Sequence, residues 1–384
     1  MRVIFLSNYL THHQKPLSDE LYRILGDGNY FFVCTEDVEE ERKKMGWPVL
    51  EAPYVVQYSD KTHDEVERLV DDCDVAIYGH APLSLIKKRY YDGKIVVCNT
   101  ERRYKTISRY FKYPINTYKS FYINKGYFLS SSAFAPKDYW LSGMSLRKCY
   151  KWGYFPEVKT YENIDALIEA KGGRIDASSD VSILWAGRLI EWKHPESVLF
   201  LAKRLKQAGY RFHVDIIGNG ILEERLKTQV KKQELSDCVN FLGSMSPAEV
   251  RWNMEKADIF LFTSDRHEGW GAVVNESMNS ACAVVASNAI GSVPYLIKNG
   301  YNGMIYQNGN NGDLYDKVKY LIDNPNERKV LQKNAYKTVH DVWSPSNASK
   351  NLISLFEALL KGGETPILDG PGSKAPLIWD KYLI

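Results

Sequence analysis

A chain of 384 residues is long enough for two or three domains, each burying its own core. With 44% hydrophobic and 25% charged residues it has the composition of a water-soluble globular protein, and a net charge of +3 excludes a dedicated nucleic-acid binder. No run of eighteen apolar residues offers a transmembrane helix, and none of the six cysteines forms a CxxC pair, which points to buried reduced thiols in a cytosolic compartment.

The start MRVIFLSNYL turns polar too quickly for a signal peptide and reads as a first strand over Val3 to Leu6. The loop Ser7 to Pro16 carries His12, His13 and Gln14, and leads to a helix over Leu17 to Leu25 and a strand over Tyr30 to Cys34. Glu36 to Lys44 reads as a solvated helix and Asp64 to Asp71 as another. Val75 to Tyr78 is a strand running out into Gly79-His80-Ala81-Pro82, and Ile95 to Cys98 a strand running out into Asn99-Thr100-Glu101-Arg102-Arg103. This alternation predicts a Rossmann-like domain.

Residues 87–125 carry eleven Lys and Arg against two carboxylates, interleaved with nine Tyr and Phe. Basic charge among amphipathic aromatics suits an anionic membrane surface or a lipid-linked phosphate, and a solvated basic face is the plain alternative. Phe128 to Ser132 reads as the next strand, with a helix starting near Lys137. Residues 157–180 are polar, with Gly172-Gly173 and Ser178-Ser179, and hold the expected interdomain linker.

A second alternating set begins with the strand Ser182 to Ala186, which ends in Gly187-Arg188 with Lys193 beyond. A helix over Glu196 to Gln207 precedes the strand Phe212 to Ile217, which ends in Gly218-Asn219-Gly220. Then follow a helix over Ile221 to Gln233, a strand over Val239 to Leu242 and a helix over Pro247 to Lys256. The apolar run Ile259 to Phe262 reads as a buried parallel strand, Thr263 to Glu268 as its exit loop, and Ala272 to Ser280 as a helix. Strands at Ala283 to Ala286 and Gly303 to Tyr306 and helices over Asp313 to Asp323, Asn326 to Thr338 and Pro345 to Leu360 complete the set. The tail from Lys361 reads as a surface extension.

Chemistry concentrates around Glu268. A strand, a loop with Gly269 and Gly271, and a helix N-terminus form the arrangement in which open α/β sheets bind anions. Glu268 and Glu276 bracket it, roughly 8–12 Å apart along a loop and a helical turn. Arg188 and Lys193, at another strand's exit, suit a diphosphate as a forked donor and a point charge, or are a plain surface pair. Gly218-x-Gly220 is either a phosphate loop or a tight turn opening a helix. Asp72-Cys73-Asp74 has the letters of a DxD metal motif, but it follows a helix and precedes a strand, so it reads as a helix-end turn and no metal is expected.

Gly187-Arg188 with Lys193, Ile216 to Gly220, Phe241-Leu242-Gly243, and Glu268-Gly269-Trp270-Gly271 with Glu276 resemble, in order and spacing, the retaining GT-B glycosyltransferases of glycosyltransferase family 4. The run from Val284 to Gly291, then Gly303, is similar as well. The resemblance covers residues 182 to 343 well and the first half less. It implies an α/β GT-B fold, with two Rossmann-like domains facing across a cleft and a C-terminal helix crossing back. An acceptor-side domain would comprise 1–156 plus 344–384, and a donor-binding domain 157–343.

The implied roles follow residue by residue. Arg188 and Lys193 neutralise the donor diphosphate, Glu276 takes the ribose hydroxyls, and Glu268 takes hydroxyls of the transferred sugar. The amides of Trp270, Gly271 and Ala272 meet phosphate or sugar oxygens, Gly218, Asn219 and Gly269 belong to the donor-binding set, and Leu242 faces the base. His80, after the strand at Val75, matches a family histidine near the donor sugar. The first loop departs from the family's glycine pair, so His12, His13 and Gln14 take over its contacts, bind acceptor, or cap the next helix. Glu101 and Arg102 are further acceptor candidates. The expected activity is metal-independent, cofactor-free transfer of a sugar from a nucleotide-diphosphate sugar (UDP favoured over GDP) to a glycan or lipid-linked acceptor in surface polysaccharide or glycolipid synthesis. The expected place is the cytoplasm, with peripheral contact to the inner face of the membrane through residues 87–125. A nucleotide-sugar epimerase of the same fold, or a non-catalytic nucleotide-sugar-binding partner, are the alternatives.

Overall fold

The computed structural model of the chain describes residues 1–39, 49–102, 126–141, 143–171 and 180–379. They form two compact units, 1–157 with 342–379, and 158–341. The first is built on seven parallel strands: β1 (Val3–Ser7), β2 (Tyr30–Cys34), β3 (Val55–Gln57), β4 (Val75–Tyr78), β5 (Ile95–Thr100), β6 (Gly126–Ser130) and β7 (Cys149–Lys151). Their order is β3-β2-β1-β4-β5-β6-β7. All five residues of β1 are buried, because helices cover both faces of a parallel sheet and its central strands must be apolar on both sides. Val3 pairs with Tyr30 on one side and Val75 on the other, so strand order reverses about β1. At such a reversal the exit loops diverge and leave a crevice at the C-terminal edge.

The last helix, Pro345–Leu360, belongs to this first unit and lies along the helix Lys15–Leu25, where Ser349 Oγ donates to the Leu17 carbonyl at 3.3 Å. Ser344 starts it by accepting from the Asn347 amide, with Pro345 in the first turn.

Two expectations for this unit need correction. Arg89, read as part of a solvated or membrane-facing basic segment, is fully buried on the helix Ser84–Tyr91. Its guanidinium donates to the carbonyls of Val70, Cys73, Asp74 and Ile95 at 2.5–3.1 Å, closing the end of the helix His63–Asp72. The tail beyond Lys361 is not a free extension. Gly372 N donates to Lys151 O, Lys151 N to Ser373 O and Ala375 N to Cys149 O, so the tail covers the edge strand β7. An edge strand presents unpaired backbone groups, and the tail satisfies them. β3 and β7 were not expected, being three residues each with no alternating pattern. Residues 37–39 of the expected charged helix are irregular. Residues 40–48, residues 103–125 of the basic segment, and Gly172-Gly173 and Ser178-Ser179 lie outside the described residues.

The second unit carries six parallel strands: β8 (Val181–Ala186), β9 (Phe212–Ile217), β10 (Val239–Gly243), β11 (Ile259–Phe262), β12 (Ala283–Ser287) and β13 (Met304–Tyr306). They are ordered β10-β9-β8-β11-β12-β13, again reversing at the first strand of the set. Ile183, Trp185, Val214, Leu261 and Val285 meet Leu201, Leu205, Leu226 and Val318 in its core. Part of the expected linker is folded here: the helix Ile164–Ala170 ends at Lys171, whose buried ammonium donates to the carbonyls of Met254, Glu255 and Ala257. All six cysteines are buried thiols outside any disulfide. Among the described residues no helix is long and apolar enough to cross a membrane.

Candidate active site

In the second unit the exit loops of β8, β9 and β11 share the C-terminal edge of the sheet. The β8 and β9 loops touch backbone to backbone: Gly187 N donates to Ile217 O at 3.0 Å and Leu189 N to Asn219 O at 2.7 Å. Gly218 has φ +127°, and a Cβ there would stand 1.9 Å from the Gly187 carbonyl oxygen. Only glycine fits such a contact. Gly218→Ala is therefore expected to lower the melting temperature by the equivalent of about 3 kcal/mol or more, or to abolish folding, as followed by circular dichroism. A melting curve like the wild type would contradict this loop geometry.

Lys193 closes the short 3-10 turn Glu191–Lys193, and its Nζ donates to Glu268 Oε2 at 2.5 Å. The two side chains are 14% and 15% exposed, so the pair is shielded yet reachable. Several bonds fix both ends. Trp185 Nε1 donates to Thr263 Oγ1, which donates to the Lys193 carbonyl at 2.6 Å. Ser264 Oγ donates to Glu268 Oε2 at 3.0 Å, and Asp265 N donates to Trp192 O at 2.9 Å. Arg188 is exposed and lies over the Trp192 ring at 5.5 Å.

Past Glu268, Gly271 takes φ +78°, and a Cβ there would strike the Phe262 ring. The helix Val273–Asn279 starts behind Ala272. Trp270 is fully buried and donates from Nε1 to Asn275 Oδ1 at 2.9 Å, so its side chain props the loop and only its backbone remains for a ligand. Glu276 is half-buried on this helix, and no group among the described residues hydrogen-bonds its side-chain carboxyl. Burial raises its carboxyl to about 7, partly opposed by Arg251. A half-buried carboxyl with no hydrogen-bond partner in the protein is an acceptor open to a ligand's donors. Gly269 is buried in the same loop, Asn219 is exposed beyond β9, and Leu242 is half-buried on β10 where the pairing with β9 slips.

In the first unit the crevice beside β1 opens into a cavity of about 420 Å³. It is lined by His13 and Gln14 from the first loop, His80 after β4, and Glu101 after β5, together with Asn99, Ser131 and Tyr154. Tyr154 OH donates to Glu101 Oε1 at 2.6 Å, Ser131 Oγ donates to Asn99 Oδ1 at 2.7 Å, and the Tyr154 ring lies parallel to His13. Gln14 Oε1 accepts from Thr11 N and Oγ1, so its amide braces its own loop. His12 packs on His13 and is not among the residues lining the cavity. Arg102 does not reach the cavity either: its side chain is 9% exposed and faces buried Asp138 at 3.7 Å. Asn99, Ser131 and Tyr154 carried no local motif, and only the register of β5 with β6 brings the first two together. Asp74 of the DxD-like triplet accepts from the Arg2 amide at 2.7 Å, and Asp72 ends a helix.

The model of the family "Glycosyl transferases group 1" matches residues 175–338. Over 132 residues the chain is 34% identical to the amylovoran biosynthesis glycosyltransferase of Erwinia amylovora, a stretch covering 33% of this chain and 32% of that one. The aligned stretches span about a third to a half of the curated relatives the chain matches. Among solved structures it is similar to a lipopolysaccharide outer core galactosyltransferase in its apo form (17% identity, TM-score 0.68, 92% of this chain and 99% of that one). It is also similar to an Anabaena protein in complex with UDP (14%, TM-score 0.64, 92% and 98%). Two parallel-sheet Rossmann-like units thus form a GT-B fold.

Proposed function

We propose that this chain, whose residues 175–338 match the model of the glycosyl transferases group 1 family, moves a sugar from a nucleotide-diphosphate sugar to a glycan or lipid-linked acceptor in polysaccharide or glycolipid synthesis. The observation that carries the reading is the meeting of Lys193 with Glu268 on one sheet edge that also holds the unpartnered Glu276. A nucleotide sugar needs a cation for its diphosphate and carboxylates for its ribose and hexose hydroxyls.

In this reading Arg188, Lys193 and the amides of Trp270, Gly271 and Ala272 take the negative charge that builds on the leaving diphosphate. Glu276 holds the ribose and Glu268 the transferred sugar, with Gly218, Asn219 and Leu242 lining the way to the base. The first unit's cavity, with His13, Glu101 and Tyr154, receives the acceptor hydroxyls, and His80, which also lines it, serves the donor sugar. Transfer is with retention and without a metal: the leaving phosphate takes the acceptor's proton on the same face. UDP is favoured as the base carrier, and the bound UDP of the Anabaena protein supports that preference. A lipid-linked acceptor would bring the protein to a membrane surface as a peripheral enzyme.

Thermal-shift titration against UDP-, GDP- and dTDP-sugars tests this. A ligand held by the folded state at a hundred times its Kd adds about 2.7 kcal/mol to apparent stability. UDP-sugars are expected to raise the melting temperature most, and no rise with any of the three would overturn the proposal.

A further inference from the structure

We propose that His194 is held as an imidazolium bridging Glu196 and Asp265, and that this bridge positions Lys193; the proposal rests on the reading of Lys193 as the donor's phosphate-binding cation. His194 directly follows Lys193 and takes φ +48° and ψ +50°, a left-handed conformation that favours glycine. Something must hold a side-chain-bearing residue there, and two carboxylates do. Glu196 Oε1 lies 2.9 Å from Nδ1, and Asp265 Oδ2 lies 3.3 Å from Nε2. A neutral imidazole has one N–H and would turn a lone pair toward one of these carboxylates, whereas an imidazolium donates to both.

The surrounding charges agree. Burial raises Glu196, but the bond from His194 holds it below its ordinary value. Burial likewise raises Asp265, but the amide and ring of His267 and then His194 hold it low. His194 is raised above its usual 6.5, first by the bond to Glu196 and, against burial, by the charges of Glu196 and Asp265. Arg225 and Tyr306 face Glu196 from the helix Glu223–Lys232 and from β13, and His267 faces Asp265.

The bridge ties together the two loops that carry Lys193 and Glu268. Asp265 N already holds Trp192 O and Thr263 Oγ1 holds Lys193 O, so the His194–Asp265 bond fastens the turn on its far side. A histidine raised on folding contributes stability that is full below the ordinary 6.5 and is lost as pH rises through its folded value. Lys193 is thus best positioned below that folded value and loosens above it.

The experiment pairs two readouts on the intact chain. Ring titration of His194 by NMR, assigned with His194→Gln, is expected to lie above 6.5 in the wild type and to fall in Asp265→Asn. UDP affinity, measured by calorimetry between pH 7 and 9, is expected to weaken about three- to tenfold in the wild type as the charged hydrogen bond is lost. His194→Gly suits the left-handed backbone, and it is expected to bind weakly and without the wild type's loss of affinity as pH rises, keeping only the gain from ionisation of Glu276 near pH 7. A ring titrating at or below 6.5, or the same pH dependence in wild type and His194→Gly, overturns the proposal. A raised His194 in a protein that binds UDP at no pH overturns the donor reading, and the positioning of Lys193 with it.

Discussion

Glu276→Gln is expected to make the protein more stable and, at the same time, a poorer binder of nucleotide sugar. The carboxyl of Glu276 rises from 4.5 to about 7 on folding because burial penalises its charge. A carboxyl raised on folding favours the folded state least when ionised, so its penalty grows as pH climbs from 4.5 to about 7 and is constant beyond. Glutamine carries no charge to desolvate. The variant should gain about 1–3 kcal/mol over the wild type at pH 8 and nothing at pH 4.5, read from denaturant midpoints at each pH. Donor binding should move the other way. A ribose hydroxyl donating to a carboxylate is a charge-assisted bond worth about 1.5–3 kcal/mol, so affinity for UDP-sugar should drop about ten- to a hundredfold. A residue that opposes folding while serving a ligand is how a binding site differs from a core. Equal stability at pH 8 together with unchanged affinity would remove Glu276 from the site.

The features that made Glu276 a candidate were local, and local features are what the chain displays without its fold. Ile259 to Phe262 is an apolar run bounded by polar residues, and it forms β11 over those four residues. The helices Pro247–Lys256 and Pro345–Leu360 are each announced by a serine and a proline, and they start there. What stayed hidden depends on partners distant in sequence. Arg89 looks like any surface arginine until the turn after the helix His63–Asp72 folds over it. The tail at Ser373 gains meaning only from Lys151, more than two hundred residues earlier. Tyr154 and Glu101 are 53 positions apart and meet because β5, β6 and β7 lie in that order in the sheet, so that the exits of β5 and β7 both reach the cavity. Likewise, Arg188 and Lys193 could be read as a pair of cations, but that Lys193 is tied to Glu268 rather than free is a fact of three-dimensional packing.

That tie makes Lys193 and Glu268 respond oppositely to substitution. Without ligand, Lys193 Nζ is already satisfied by Glu268 Oε2, and a diphosphate must compete for it. Glu268→Gln removes the competing charge and leaves a neutral acceptor beside Lys193, with Ser264 still within reach. UDP alone should then bind several-fold tighter, because less attraction is lost when Lys193 turns to phosphate. Transfer should nonetheless slow, since the carboxylate that accepts the sugar's hydroxyls is gone. Lys193→Ala should weaken UDP and lower kcat by about 10²–10³, the scale of losing one preorganised charge at a leaving group. Its fold should persist, because Thr263 binds the Lys193 backbone and not its side chain. Calorimetry with UDP and steady-state rates with a UDP-sugar separate the two effects. Tighter UDP with slower turnover in Glu268→Gln, against weaker UDP with slower turnover in Lys193→Ala, is the expected pattern. Weaker UDP in both would mean that Glu268 holds Lys193 in place for the phosphate rather than competing with it.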